Sequence, residues 1–177
     1  MHYYFVESEN NPAEDPITLW LNGGPGASSI AYGMMTEIGQ LVFNRDSLED
    51  NTTTVPTLQY NQYGWSRFTN MVYLESPAGV GFSYCDSTAL PCTSNDTSTA
   101  EDAFDALSAF FKRFPSLEGR PFYITGESYA GIYCPTLAEQ IMNRGAGTGI
   151  NLQGLMVPYL QVLAVLRPAA DRNCMRR

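Results

Sequence analysis

Apolar positions along the chain follow two periods. Short runs rich in β-branched and aromatic residues fall at Tyr3 to Val6, Ile17 to Leu21, Met71 to Leu74, Phe122 to Thr125 and Leu152 to Val157. Their length and composition predict strands. The first two are separated by Asn10-Asn11-Pro12 and Asp15-Pro16, turn formers that predict a hairpin at the start of the chain. Elsewhere the spacing lengthens. Ala100, Ala103, Phe104, Leu107, Phe110, Phe111 and Phe114 recur at helical intervals, with Lys112 and Arg113 in the last turn and Pro115 just beyond. A helix is therefore predicted from Thr97 to Phe114. Two more helices are predicted, from Ser28 to about Ile38 and from Tyr129 to about Met142. Gly39 to Arg67 shows no clear period and reads as mostly loop. Strands alternating with helices predict an α/β fold with a mostly parallel sheet flanked by helices.

Composition narrows the partners. With 10 Lys+Arg against 18 Asp+Glu, the net charge is −8. Such a surface repels phosphate backbones and anionic lipids, so neither nucleic acid nor a membrane surface is expected as a partner. No stretch reaches the roughly 18 apolar residues of a membrane helix, and Met1-His2-Tyr3-Tyr4 does not open a signal peptide. Cys85 and Cys92 sit in a Ser/Thr/Pro-rich stretch; they are either a short disulfide or two loop thiols. Cys134 reads as a buried apolar thiol. Asn51-Thr52-Thr53 and Asn95-Asp96-Thr97 fit the N-glycosylation pattern, which favours a secretory route. No metal or organic cofactor is expected.

The chemistry concentrates at two strand-to-helix junctions. Gly126-Glu127-Ser128-Tyr129-Ala130-Gly131 places a serine between a strand and a helix with small residues around it, as a crowded turn that lifts a nucleophilic hydroxyl above a sheet requires. The plain alternative is a serine capping the helix. Asn22-Gly23-Gly24-Pro25-Gly26 follows an earlier strand and is suited to supply a second backbone N–H to an oxyanion. Its plain alternative is a tight turn, or a helix N-terminus that binds an anion.

Three segments carry a more specific signal: WLNGGPGASS at Trp20 to Ser29, ESPAGVGFSY at Glu75 to Tyr84 and GESYAG at Gly126 to Gly131. Together they resemble the serine carboxypeptidase family, over about Tyr3 to Val157. The resemblance implies a partial α/β-hydrolase fold in residues 1–157, with 158–177 a divergent tail outside it. It implies release of C-terminal residues from peptides, mostly at acidic pH, and a secretory, lysosomal, vacuolar or extracellular location. Carried over by motif, Ser128 is the nucleophile, Gly24 and Tyr129 are oxyanion donors, and Asn22, Glu37 and Glu127 bind the substrate's terminal carboxylate. In that last group at least one glutamate must hold a proton, since ionised acids repel a carboxylate.

The chain also departs from the pattern. In this fold the triad acid and histidine follow the serine, yet no histidine follows Ser128. His2 reads as a terminal surface residue, and neither Glu139 nor Asp171 sits at the end of a later core strand. No acid or base is assigned, and the chain alone is expected to be nearly inactive. Two other readings stand beside peptidase activity: a carboxypeptidase-like acyltransferase, and a non-catalytic fragment that binds peptide C-termini or another chain. A sheet ending at Val157 exposes an apolar edge, which favours association.

Overall fold

A computed structural model describes residues 1–48, 55–85 and 92–157. Five strands form one sheet, in which β1 (Tyr3–Val6) lies beside β5 (Asn70–Leu74), followed by β2 (Ile17–Leu21), β6 (Pro121–Gly126) and β7 (Asn151–Met156). β2 (Ile17–Leu21) lies at its centre and is buried at every position, so its sequence shows no alternation of apolar and polar residues. β5 (Asn70–Leu74) and β6 (Pro121–Gly126) flank it in parallel. β7 (Asn151–Met156) extends the parallel set beyond β6, and β1 (Tyr3–Val6) closes the other edge antiparallel to β5.

The expected hairpin of β1 with β2 does not form, because β5 lies between them. The polar connection that suggested a turn is instead a loop fastened to the start of β5. Asn70 Oδ1 accepts the Ser8 N–H at 3.1 Å, and Asn70 Nδ2 donates to the Asp15 carbonyl at 3.0 Å. One buried side chain thus satisfies backbone groups that a two-residue turn would have paired with each other.

Two helices cover one face. α1 (Asp96–Arg113) and α2 (Ala130–Arg144) lay Phe104, Leu107, Phe110, Phe111, Leu137 and Ile141 on Ile17, Leu19, Phe122 and Ile124. α1 begins in a capping box: Asn95 accepts from the Ser98 N–H, and Ser98 reaches back to Asn95. On the opposite face Trp20, Met71 and Tyr73 pack with Ile30 and Met34. These last two lie on Ser29–Glu37, the helix expected to start at Ser28. It is wound wider than an α-helix, as a π-helix, and the Ile38 N–H reaches back five residues to the Gly33 carbonyl.

Among its described residues the aperiodic region after Gly39 is mainly loop, with β3 (Leu41–Val42) paired to β4 (Gln59–Tyr60) and single 3-10 turns at Arg45–Leu48 and Trp65–Arg67. Cys85 and Cys92 form a disulfide with their Cα atoms 5.9 Å apart. Cys134 is free and fully buried, and burial pushes its thiol up to about 12. Asn51 and the tail 158–177 lie outside the described residues.

Candidate active site

β6 ends at Gly126 and α2 starts at Ala130, leaving three residues to turn the chain. Ser128 takes the strain of that turn. It is the only described non-glycine residue with positive φ, at 56°, a conformation costly for a side chain bearing Cβ. The residue is exposed, so the turn presents its hydroxyl beyond the carboxyl end of the sheet, where open α/β folds place their sites.

The glycine loop after β2 lies directly against this turn. A Cβ on Gly23 would collide with the Tyr129 nitrogen and, at 2.7 Å, with the Glu127 carbonyl oxygen. Only glycine permits that approach. Gly24 follows with φ of 110°. Among the described residues, neither the Gly24 nor the Tyr129 N–H has a hydrogen-bond acceptor, so two backbone donors near the serine are free to bind an oxyanion. The Tyr129 side chain points elsewhere, its hydroxyl donating to Asp96 Oδ1 at 3.0 Å at the start of α1.

Asn22 joins the two junctions. It is only 2% exposed. Its Oδ1 accepts from Trp20 Nε1 at 2.7 Å and from the Gly33 N–H at 3.0 Å, which fixes the amide's orientation. Its Nδ2 is thereby aimed at Glu127 Oε1, 2.9 Å away, and its own N–H donates to Ser29 Oγ at 3.1 Å. Glu37, at the end of the π-helix, faces the same group. Desolvation first, and then the Glu127 carboxylate, raise its carboxyl above the usual range, while the nearby Asn22 amide pulls it back. Asn22, Glu37 and Glu127 therefore form one polar cluster beside Ser128 and the glycine loop.

The remaining candidates stay apart. His2 lies at the β1 edge, its ring 5.2 Å from Phe82. β1 and β6 are separated by β5 and β2, which at about 4.8 Å per strand puts them roughly 14 Å apart. Glu139 is exposed on α2. Among the described residues no cluster of His, Cys, Asp and Glu is arranged to hold a metal ion.

Sequence reasoning missed the residues that orient Asn22, namely Trp20, Ser29 and Gly33, because none is chemically conspicuous alone. It also gave no role to Glu75, although that acid directly follows the apolar run Met71 to Leu74. Glu75 is 0% exposed. Its Oε1 accepts from Ser28 Oγ at 2.6 Å and from the Ile30 N–H at 3.1 Å, and its Oε2 accepts from the Phe82 N–H at 3.0 Å.

A serine at a left-handed turn between a parallel strand and a helix, faced by a glycine-rich loop from the neighbouring strand, is the strand–turn–helix arrangement of the α/β-hydrolase fold. The profile of the family described as serine carboxypeptidase matches residues 1–159. The chain belongs to that family, whose members are hydrolases.

Among its relatives, the mouse lysosomal protective protein is 47% identical over 156 residues, covering 88% of this chain and 30% of the relative. Serine carboxypeptidase-like 26 of Oryza sativa subsp. japonica is 45% identical over 163 residues, covering 89% and 32%. The crystal structure of Kex1(Δ)p, a prohormone-processing carboxypeptidase from Saccharomyces cerevisiae, superposes with a TM-score of 0.68 at 28% identity, covering 88% of this chain and 33% of that one. The chain thus spans about a third of the length of the relatives it matches.

Proposed function

We propose that this chain carries the nucleophile, the oxyanion donors and the terminal-carboxylate site of a serine-type carboxypeptidase. The observation that supports it most is the meeting of the strained Ser128 turn, two unpaired backbone N–H groups and the Asn22–Glu127 bond within one cluster. In the reaction, Ser128 Oγ bonds to the carbonyl carbon of the last peptide bond. The Gly24 and Tyr129 N–H groups stabilise the resulting oxyanion. The C–N bond then breaks and the terminal residue leaves with the proton taken from the serine. Water hydrolyses the ester that remains and regenerates the hydroxyl.

Asn22 and a protonated Glu37 donate to the substrate's free carboxylate, which sets the cut at the chain end and favours acidic pH. The proton transfers need a base, and no histidine follows Ser128 in these 177 residues. The chain alone is therefore nearly inactive, with only the rate that oxyanion donors and binding supply. A second reading is a chain that binds peptide C-termini without cleaving them. The lysosomal setting in the mouse relative's name and the sequon at Asn95 support a secretory route for this chain.

Mass spectrometry after incubation with an active-site phosphonylating reagent at acidic pH tests the assignment. A slow single adduct on the wild type that is absent from Ser128→Ala is expected. Equal labelling of both proteins removes Ser128 as the nucleophile, and no adduct on folded wild type selects the binding-only reading.

A further inference from the structure

The residue that follows β5, Glu75, is a carboxylate with three hydrogen-bond donors and no cation. Among the described residues the one ion pair is Arg144 with Asp105, so Glu75 is held by polar N–H and O–H groups alone. Those donors come from two separate segments. Ser28 and Ile30 begin the π-helix, and Phe82 belongs to the loop after cis-Pro77. The loop closes on the acid because position 81 has no side chain. Gly81 has φ of 54°, and a Cβ there would coincide with Glu75 Oε2.

The π-helix start held by Glu75 is also what fixes Asn22. Ser28 Oγ donates to Glu75 and accepts from the Ala31 N–H at 2.9 Å. Ser29 Oγ accepts from the Asn22 backbone at 3.1 Å, and one turn on the Gly33 N–H donates to Asn22 Oδ1 at 3.0 Å. A buried carboxylate can accept several N–H and O–H groups at once, and no neutral side chain of the same size can. In glutamine one of the two atoms becomes an NH2. Placed toward Phe82 or toward Ile30, it faces a backbone donor that cannot turn away, and a buried N–H goes unpaired.

We propose that Glu75 is a positioning residue for the terminal-carboxylate site: it clamps the first turn of the π-helix so that Ser29 and Gly33 hold Asn22 with its amide NH2 facing Glu127. Glu75 touches no substrate. It acts through the turn, and its loss lets the Asn22 amide rotate away from the direction that recognises a carboxylate. This inference rests on the reading of Asn22, Glu37 and Glu127 as that site.

The test uses the 177-residue chain and two fluorescent dipeptides that differ only at the end, one a free acid and one its carboxamide. Binding is followed by anisotropy at acidic pH. Wild type is expected to prefer the acid by about tenfold or more, the scale of one charge-assisted hydrogen bond. Glu75→Gln should lose most of that preference while its affinity for the carboxamide stays unchanged. Ser28→Ala, which removes one donor to the same oxygen and leaves the acid in place, should lose part of it. The double variant should be no worse than Glu75→Gln, since both changes act on one clamp.

No preference in wild type overturns the carboxylate site itself. A wild-type preference that both single variants retain overturns the role of Glu75. Equal loss for acid and carboxamide, or additive losses in the double variant, reduces Glu75 to general structural support and overturns the proposal too. Should Glu75→Gln fail to fold, as far-UV circular dichroism reveals, the Ser28→Ala preference decides.

Discussion

At the residue scale, the cluster beside Ser128 is a set of acids kept close by one amide. The carboxyl of Glu37 lies above its ordinary value of 4.5, first through desolvation and then through the Glu127 charge. A raised value in the folded state means that the fold binds this proton more tightly than the unfolded chain does. The associated stability is complete below the unfolded value and is lost as pH rises through the folded one. Glu37→Gln cannot ionise and escapes that loss. Its melting temperature should match wild type at low pH and exceed it increasingly toward neutrality. Glu37 itself is exposed, so the gain is at most about 1 kcal/mol, or roughly 2–4 °C. Thermal melts of both proteins across acidic to neutral pH measure it, and an offset independent of pH contradicts the coupling. Glu127 was legible in the sequence through the motif that holds it, whereas Glu37 lies outside the three quoted motifs and came only with the family resemblance. Nothing in the residue types told that Trp20, Ser29 and Gly33 would orient Asn22: Trp20 reaches it from two residues earlier at the end of β2, and Ser29 and Gly33 from a wide helical turn that a 3.6-residue period does not describe.

At the element scale, Asn95 has two roles that substitutions separate. It caps α1 through the Ser98 N–H at 2.9 Å, and it is the acceptor of an Asn-x-Thr sequon. Asn95→Asp removes the sequon but keeps an oxygen for the cap and adds a charge that suits a helix N-terminus. Asn95→Ala removes both. In urea unfolding of unglycosylated protein, Asn95→Ala should cost about 1 kcal/mol, within roughly 0.5–2, and Asn95→Asp almost nothing. Equal losses would mean that the box does not hold the helix. The helix itself was plain from its apolar spacing, because seven apolar positions in one stripe suit no other local structure. The hairpin was misjudged for the converse reason. Asn, Asp and Pro mark a chain reversal without marking what the reversal passes, and the strand that comes between, β5, lies more than fifty residues further along.

At the scale of the whole molecule, the sheet is covered unevenly. One face is sealed by α1 and α2, while on the other the π-helix and Trp65 cover Trp20, Met71 and Tyr73 only. Toward β6 and β7 that second face stays open as a groove of about 1260 Å³, walled by Tyr63, Trp65, Phe68, Tyr123, Leu152 and Met156. None of the candidate site residues lines it, so it is separate from the Ser128 turn. Beside it, β7 pairs only with β6 and leaves its outer backbone edge unmatched among the described residues. An apolar groove next to an unpaired strand lowers its free energy by taking up another chain. The purified chain should therefore associate at micromolar concentration, seen as species heavier than a monomer in sedimentation velocity. Met156 lines the groove and is 42% exposed, so Met156→Lys sets a charge in the contact without disturbing the core. It should shift the distribution toward monomer with an unchanged melting temperature. A wild type that sediments as a monomer would mean that water meets this face at little cost, and that the sheet is stable with five strands and one covered side.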